Sequence, residues 1–310
     1  MVKPKTPSPS KSPVSKTDTK VASGVKKSSK DMKSESGVSV ARPDAVVMRL
    51  KGVLVSGRFD QEIDRFAKDH VMQYLKDHKE DKTTGMLVQR LREDAALDRD
   101  SGDFGEEAVP QVPTAPATLE QQLAAAVTYM QWSVTREPEQ HPFSPITLLK
   151  DSICKEGMAA GQLKTPVFED AVKAMNAWRF GQHFIKNYTL DVPDSEDQER
   201  LLTHTTSGDI RKAIANYIRL GQAEKALLPR TYRTVVAMIR TDPPNILFLT
   251  DSPAEAAAAT QQRLTVILVR RSGEPLAREA DSASAAGVPT VSSFDEIHFI
   301  NDPNRPAACC

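Results

Sequence analysis

Residues 245–259 read NILFLTDSPAEAAAA. The run 245–250 is short, apolar in its centre and bounded by polar residues, which predicts a buried strand. Asp251 follows directly, and the Ala-rich stretch 254–262 favours helix because alanine loses little entropy on ordering. A strand that hands over to a helix through an acid places that acid at the C-terminal edge of a sheet, where open α/β sheets bind ligands. Downstream, 264–269 is a strand of aliphatic and β-branched residues, 288–291 is a short strand, and 295–298 a final helical turn. Upstream, helices are expected at 229–239 and 195–202, and a strand at 184–190. Before these come helices at 166–178, 145–158 and 119–132, a Pro-rich loop at 101–118, and a helix at 86–97. Phe59, Ile63, Phe66, His70 and Tyr74 recur at helical spacing, after a buried strand at 45–48. Strands alternating with helices imply an α/β fold, a Rossmann-like parallel sheet. The consecutive helices from about 59 to 180 predict an inserted helical cap.

The chain has 310 residues, with 41 basic and 41 acidic side chains. The charges are unevenly spread: residues 1–43 carry nine Lys, one Arg and three acids, a net +7, so the remainder carries −7. That segment is Lys, Ser, Pro and Thr with few large apolar side chains, so ordering it recovers little burial energy, and it reads as a disordered basic tail. Thr6-Pro7, Ser8-Pro9 and Ser12-Pro13 have the pattern of proline-directed phosphorylation sites, against the plainer reading of a solubilising tail. Its charge suits weak, non-specific nucleic-acid contact, with no aromatic residue to stack on bases. Only Cys154, Cys309 and Cys310 occur, too few for a disulfide framework, so a reducing, cytoplasmic location is expected, with the nucleus as an alternative. No apolar run of about 18 residues is present, so no transmembrane helix is expected. The terminal Cys309-Cys310 pair resembles a lipidated tail, against the plainer reading of an exposed C-terminal tail at 301–310.

The 245–259 segment resembles a motif of the enolase-phosphatase (acireductone synthase) family of the haloacid dehalogenase-like superfamily: a strand delivering an Asp, then an Ala-rich helix with an early Glu. Other pieces are similar in the same order. They are LREDAALD at 91–98, the Trp–Arg–Leu-Lys spacing across 132–150, AAGQLK at 159–164 followed by FED at 168–170, HTTSGDI at 204–210, and Val269-Arg270 with Gly273. Together they cover about 44–298. The resemblance implies a haloacid dehalogenase-like core at 44–300 carrying the cap, and a Mg²⁺-dependent phosphatase of methionine salvage acting through an aspartyl-phosphate.

The residues such chemistry needs are replaced. The family's D-x-[DE]-G-T motif falls on Arg49-Leu50-Lys51-Gly52-Val53, so the nucleophile position is Arg49 and the second acid position Lys51. A guanidinium forms no acyl-phosphate and repels Mg²⁺. Counting back from Leu201-Leu202, the phosphate-binding Ser-Ser-Gly-Ser turn falls on Val192-Pro193-Asp194-Ser195. Val192 lacks the hydroxyl, Pro193 lacks an N–H and Asp194 repels phosphate. Lys225 stands near the position of the family's lysine, and Asp251 at its last acid, the residue that would ligate any surviving metal. The cap's Gly-x-[IM]-Trp reads Asp151-Ser152-Ile153-Cys154 and lacks the Trp.

The plainer readings are a surface lysine for Lys225, a structural role for His204, a core thiol for Cys154, and helix capping or cation pairing for Asp251. Three functions follow. The first is an inactive, pseudophosphatase domain that binds or scaffolds an unidentified protein partner, with no cofactor. The second is an active Mg²⁺-dependent enolase-phosphatase with its nucleophile drawn from Asp44 or Asp60. The third is nucleic-acid association through residues 1–43. In the first case Arg49, ahead of Lys51, is expected within salt-bridge reach of Asp251, replacing the metal's charge.

Overall fold

The structure is a computed structural model and describes residues 37–104, 108–136, 144–182, 184–274 and 287–300. The phosphorylation motifs at Thr6, Ser8 and Ser12, and Cys309 and Cys310, lie outside the described residues. The core is a six-stranded, all-parallel sheet ordered β4-β3-β2-β5-β6-β7. Its strands are β2 (Ala45–Arg49), β3 (Lys186–Asp191), β4 (Ile214–Arg219), β5 (Ile246–Thr250), β6 (Thr265–Val269) and β7 (Thr290–Val291). A separate parallel pair joins β1 (Val38–Ala41) to β8 (Ile297–Ile300).

β2 and β5 are central and covered on both faces, which explains their unbroken apolar runs. Alternate side chains enter different cores. Val46, Met48, Leu247 and Leu249 pack in one cluster, with Met175 and Trp178 of helix α5 (Glu169–Phe180). Ala45, Val47, Ile246 and Phe248 pack in the other, with Tyr232 of α7 (Pro229–Ile239) and Ala256 and Ala259 of α8 (Pro253–Thr260). The alanines that favour helix in α8 also give it a thin face toward the sheet. Pro253 sits in its first turn, and the Ser252 hydroxyl caps it by accepting from the Glu255 N–H at 3.3 Å.

Four further helices form the cap: α1 (Phe59–Asp77), α2 (Lys82–Ser101), α3 (Leu119–Arg136) and α4 (Pro145–Ala159). α1 buries Phe59, Ala67, Val71 and Leu75 at helical spacing, and packs on α3 and α4. Ser144 caps α4, with Pro145 in its first turn. Among the described residues, no helix is long and apolar enough to cross a membrane.

Three boundaries differ from the sequence reading. Val38–Ala41 lies within the segment read as tail, yet it pairs with β8; its alternation of half-buried and exposed residues is too short to stand out. α5 packs on β3, not on the cap helices, so the cap ends near 160 rather than 180. The turn at Phe294–Glu296 is followed by strand Ile297–Ile300, where a helical turn was expected: the capping box of Ser293 and Glu296 encloses only one turn. Strand β4 was not anticipated, because only Ile214 and Ile218 of its residues are buried.

Candidate functional site

The chain runs β2, β3, β4 outward in one direction and returns to place β5 on the other side of β2. The crevice at the C-terminal ends of β2 and β5 is therefore the topological switch point of the sheet. Arg49 ends β2, Asp191 ends β3, and Thr250-Asp251 lead from β5 into α8.

Arg49 is directed into this crevice. Its Nη2 donates to Asp191 Oδ1 at 3.3 Å, and its Nε lies 3.6 Å from Glu255 Oε2. Asp191 and Glu255 are only 2% and 7% exposed, so both ion pairs are shielded from solvent. Asp191 also accepts the backbone N–H of Lys51 at 3.1 Å and of Val192 at 2.8 Å, tying the ends of two strands together. Glu255 accepts the Thr250 hydroxyl at 2.7 Å. Burial works against the charge on Arg49, but Glu255 and Asp191 outweigh it and hold the guanidinium above its usual value. The Arg49 Nη1 is buried and has no hydrogen-bond partner.

Asp251 does not take the place expected for it. Arg49 bonds Asp191 and approaches Glu255, while the Asp251 carboxylate sits against Gly52. The reason is the period of two along a strand. Residue 49 shares the face of Ala45 and Val47, as Thr250 shares that of Ile246 and Phe248; this is the α8 side, where Glu255 stands. Asp251 is one residue out of phase. Gly52, at a φ of +78°, leaves the space: a Cβ there would collide with the carboxylate. Nor does Asp251 cap α8, since Ser252 does. Burial pushes the Asp251 carboxyl up, partly offset by its own backbone N–H and by Arg49; burial likewise pushes Glu255 up.

Lys51 turns outward and holds Asp60 at 2.7 Å, an exposed pair. Val192 is not the residue that meets Arg49; the strand's last residue, Asp191, is. Asp194 caps α6 (Ser195–Thr203), accepting from the Asp197 N–H at 2.9 Å. Lys225 is exposed, and among the described residues its ammonium has no ion pair or hydrogen bond. The sequence reading missed Asp191, although its signal is the one that exposed Asp251: an acid closing an apolar strand.

Between cap and core lies a cleft of about 340 Å³, lined by Lys51, Phe59, Asp64, Lys150, Cys154 and Arg200 among others. Its cations are matched internally: Lys150 to Asp64 at 2.6 Å and Arg200 to Asp197 at 2.5 Å. Burial pushes the Cys154 thiol up to about 12, so it is a protonated, core-facing group. Mg²⁺, which the family resemblance implies, does not fit these residues. Among the described residues, no group of three or more His, Cys, Asp or Glu could hold a metal ion, and the guanidinium stands between the two buried acids.

No protein-family model matches the chain. It is 27% identical to an enolase-phosphatase E1 of Xenopus tropicalis over 236 residues, 76% of this chain and 86% of that protein. It is 28% identical to an enolase-phosphatase E1 of Saccharopolyspora erythraea over 254 residues, 81% of this chain and 94% of that one. The crystal structure of the Unknown transcript 4 protein of Saccharomyces cerevisiae superposes with a TM-score of 0.59 at 15% identity, covering 82% of this chain and 99% of the other. By fold the chain is haloacid dehalogenase-like, and by sequence it resembles the enolase-phosphatases over most of its length.

Proposed function

We propose that the domain is a pseudophosphatase, a phosphatase-like fold that serves as a protein-binding or scaffolding subunit and needs no metal. One observation carries the reading: where the resemblance requires a nucleophilic carboxylate, the chain has Arg49, paired with Asp191 at 3.3 Å. A guanidinium has no electron pair to attack phosphorus, and Asp191 beside it repels the phosphate. Lys51, at the second acid position, is taken up by Asp60. Cytoplasmic or nuclear placement, a protein partner and weak nucleic-acid contact through residues 1–43 belong to this proposal.

The second reading, an active Mg²⁺-dependent enolase-phosphatase, is favoured by the names of the relatives. It needs another nucleophile. Asp44 precedes β2, at the opposite end of the strand from the crevice, and Asp60 lies in the first turn of α1 bonded to Lys51. The deciding experiment offers the purified protein p-nitrophenyl phosphate and 2,3-diketo-5-methylthiopentyl-1-phosphate, with and without Mg²⁺. The expected result is no phosphate release in any condition. Mg²⁺-dependent turnover that disappears in Asp251→Asn establishes the second reading instead. Affinity purification with mass spectrometry then seeks the partner, and the salt dependence of RNA binding with and without residues 1–43 measures the arm.

A further inference from the structure

We propose that Arg49 is a built-in counter-ion standing where a divalent cation would otherwise be held, and that removing it turns Asp191, Asp251 and Glu255 into a divalent-cation site. The inference deepens the pseudophosphatase reading and rests on it. Three carboxylates from two strand ends and one helix start gather around one guanidinium. Asp191 bonds it at 3.3 Å, Glu255 lies 3.6 Å from its Nε, and Asp251 is close enough to act on its charge. One positive charge among three negative ones leaves an excess of two, and the nearest other cation on β2's loop, Lys51, is engaged by Asp60.

The guanidinium is also an imperfect filler. It is a flat fork whose donors point in fixed directions, and its Nη1 is buried with no acceptor. A spherical ion has no such directional mismatch. Oxygen ligands of this kind suit a hard divalent ion such as Mg²⁺ or Mn²⁺. With the side chain cut back at residue 49, the carboxylates repel one another across the freed space, and an ion bound between them relieves that repulsion. The same charge logic says that the native protein takes up none there, because the guanidinium already occupies the position and repels a second cation.

The test uses the full chain and Mn²⁺, followed by the electron paramagnetic resonance signal of the free ion and by thermal melting. The native protein should leave the free-ion signal unchanged, and its melting temperature should not move with Mn²⁺. Arg49→Ala should deplete free Mn²⁺ at one ion per chain and melt higher as Mn²⁺ is raised, since a ligand bound only by the folded state stabilises it. Arg49→Ala with Asp251→Asn should lose that binding. Native uptake that Asp251→Asn removes overturns the inference, as does a folded Arg49→Ala protein that takes up no Mn²⁺, or uptake that survives Asp251→Asn. If Arg49→Ala does not fold, Arg49→Ala with Glu255→Gln restores the native charge balance and is measured instead. Failure of both to fold even with Mn²⁺ also counts against the inference, because the ion would then not replace the guanidinium. Phosphate release from the native chain is a separate readout. An inactive protein without a latent ion site refutes only the counter-ion role, whereas turnover without ion uptake refutes only the pseudophosphatase reading.

Discussion

Replacing Arg49 by Met removes the charge and keeps most of the buried volume. In the native protein the guanidinium is 12% exposed, Asp191 accepts from it at 3.3 Å, and Glu255 stands 3.6 Å from its Nε. Breaking a buried pair from one side costs about 3–5 kcal/mol, mainly because the partner's charge is left without compensation. Two carboxylates lose their partner here, but Asp191 keeps two backbone N–H donors and Glu255 keeps the Thr250 hydroxyl. The expected loss is therefore near the lower end, about 3 kcal/mol, a large part of the ~5–15 kcal/mol that holds a domain together. Lys51→Met supplies the contrast. That pair is 39% and 56% exposed, and its loss should cost no more than about 1 kcal/mol. Urea denaturation at neutral pH, followed by the fluorescence of Trp132 and Trp178, gives both values. A double-mutant cycle with Glu255→Gln isolates the Arg49–Glu255 coupling, and the double variant should regain part of the loss. If Arg49→Met costs less than about 1 kcal/mol, or if Glu255→Gln deepens the loss, the crevice is not organised around the guanidinium.

Arg49→Asp with Lys51→Glu returns both acids of the family motif, and it should still release no phosphate. Asp191 continues to repel phosphate and Pro193 offers no N–H; Mg²⁺-dependent hydrolysis of p-nitrophenyl phosphate by this variant would disprove that account. Asp170 provides a pH test. Burial raises its carboxyl, but hydrogen bonds from Arg271, the Phe294 N–H and Ser293, at 2.5, 2.6 and 2.9 Å, outweigh this and hold it below the usual range. A carboxyl whose folded pKa is depressed contributes stability above its unfolded pKa, about 3.9, and loses it as pH falls through the folded value. Asp170→Asn should therefore destabilise more at pH 7 than at pH 3 in urea melts; a difference that stays constant across that range contradicts the assignment.

Much of the frame is legible without coordinates. The unbroken apolar runs of β2 and β5 announce strands covered on both faces, and the Pro and Ala residues around 253–259 announce a helix start. α7 begins and ends where the sequence places it. What escaped the sequence has weak local signal. β1 and β8 depend on each other, far apart in the chain, and β4 buries few side chains.

The sequence by itself determined the fold class, the helical cap and the presence of cations where a phosphatase would need acids, because these follow from side-chain type and local periodicity. The partners of those cations were decided only in three dimensions. Arg49 bonds Asp191 and not Asp251, since strand alternation sends residue 49 toward α8 while Asp251 falls out of phase and rests on Gly52. Asp191, 142 positions away in the chain, became its neighbour through the register of β2 against β3. Pairing across parallel strands depends on register and face, which one strand's residues do not encode alone.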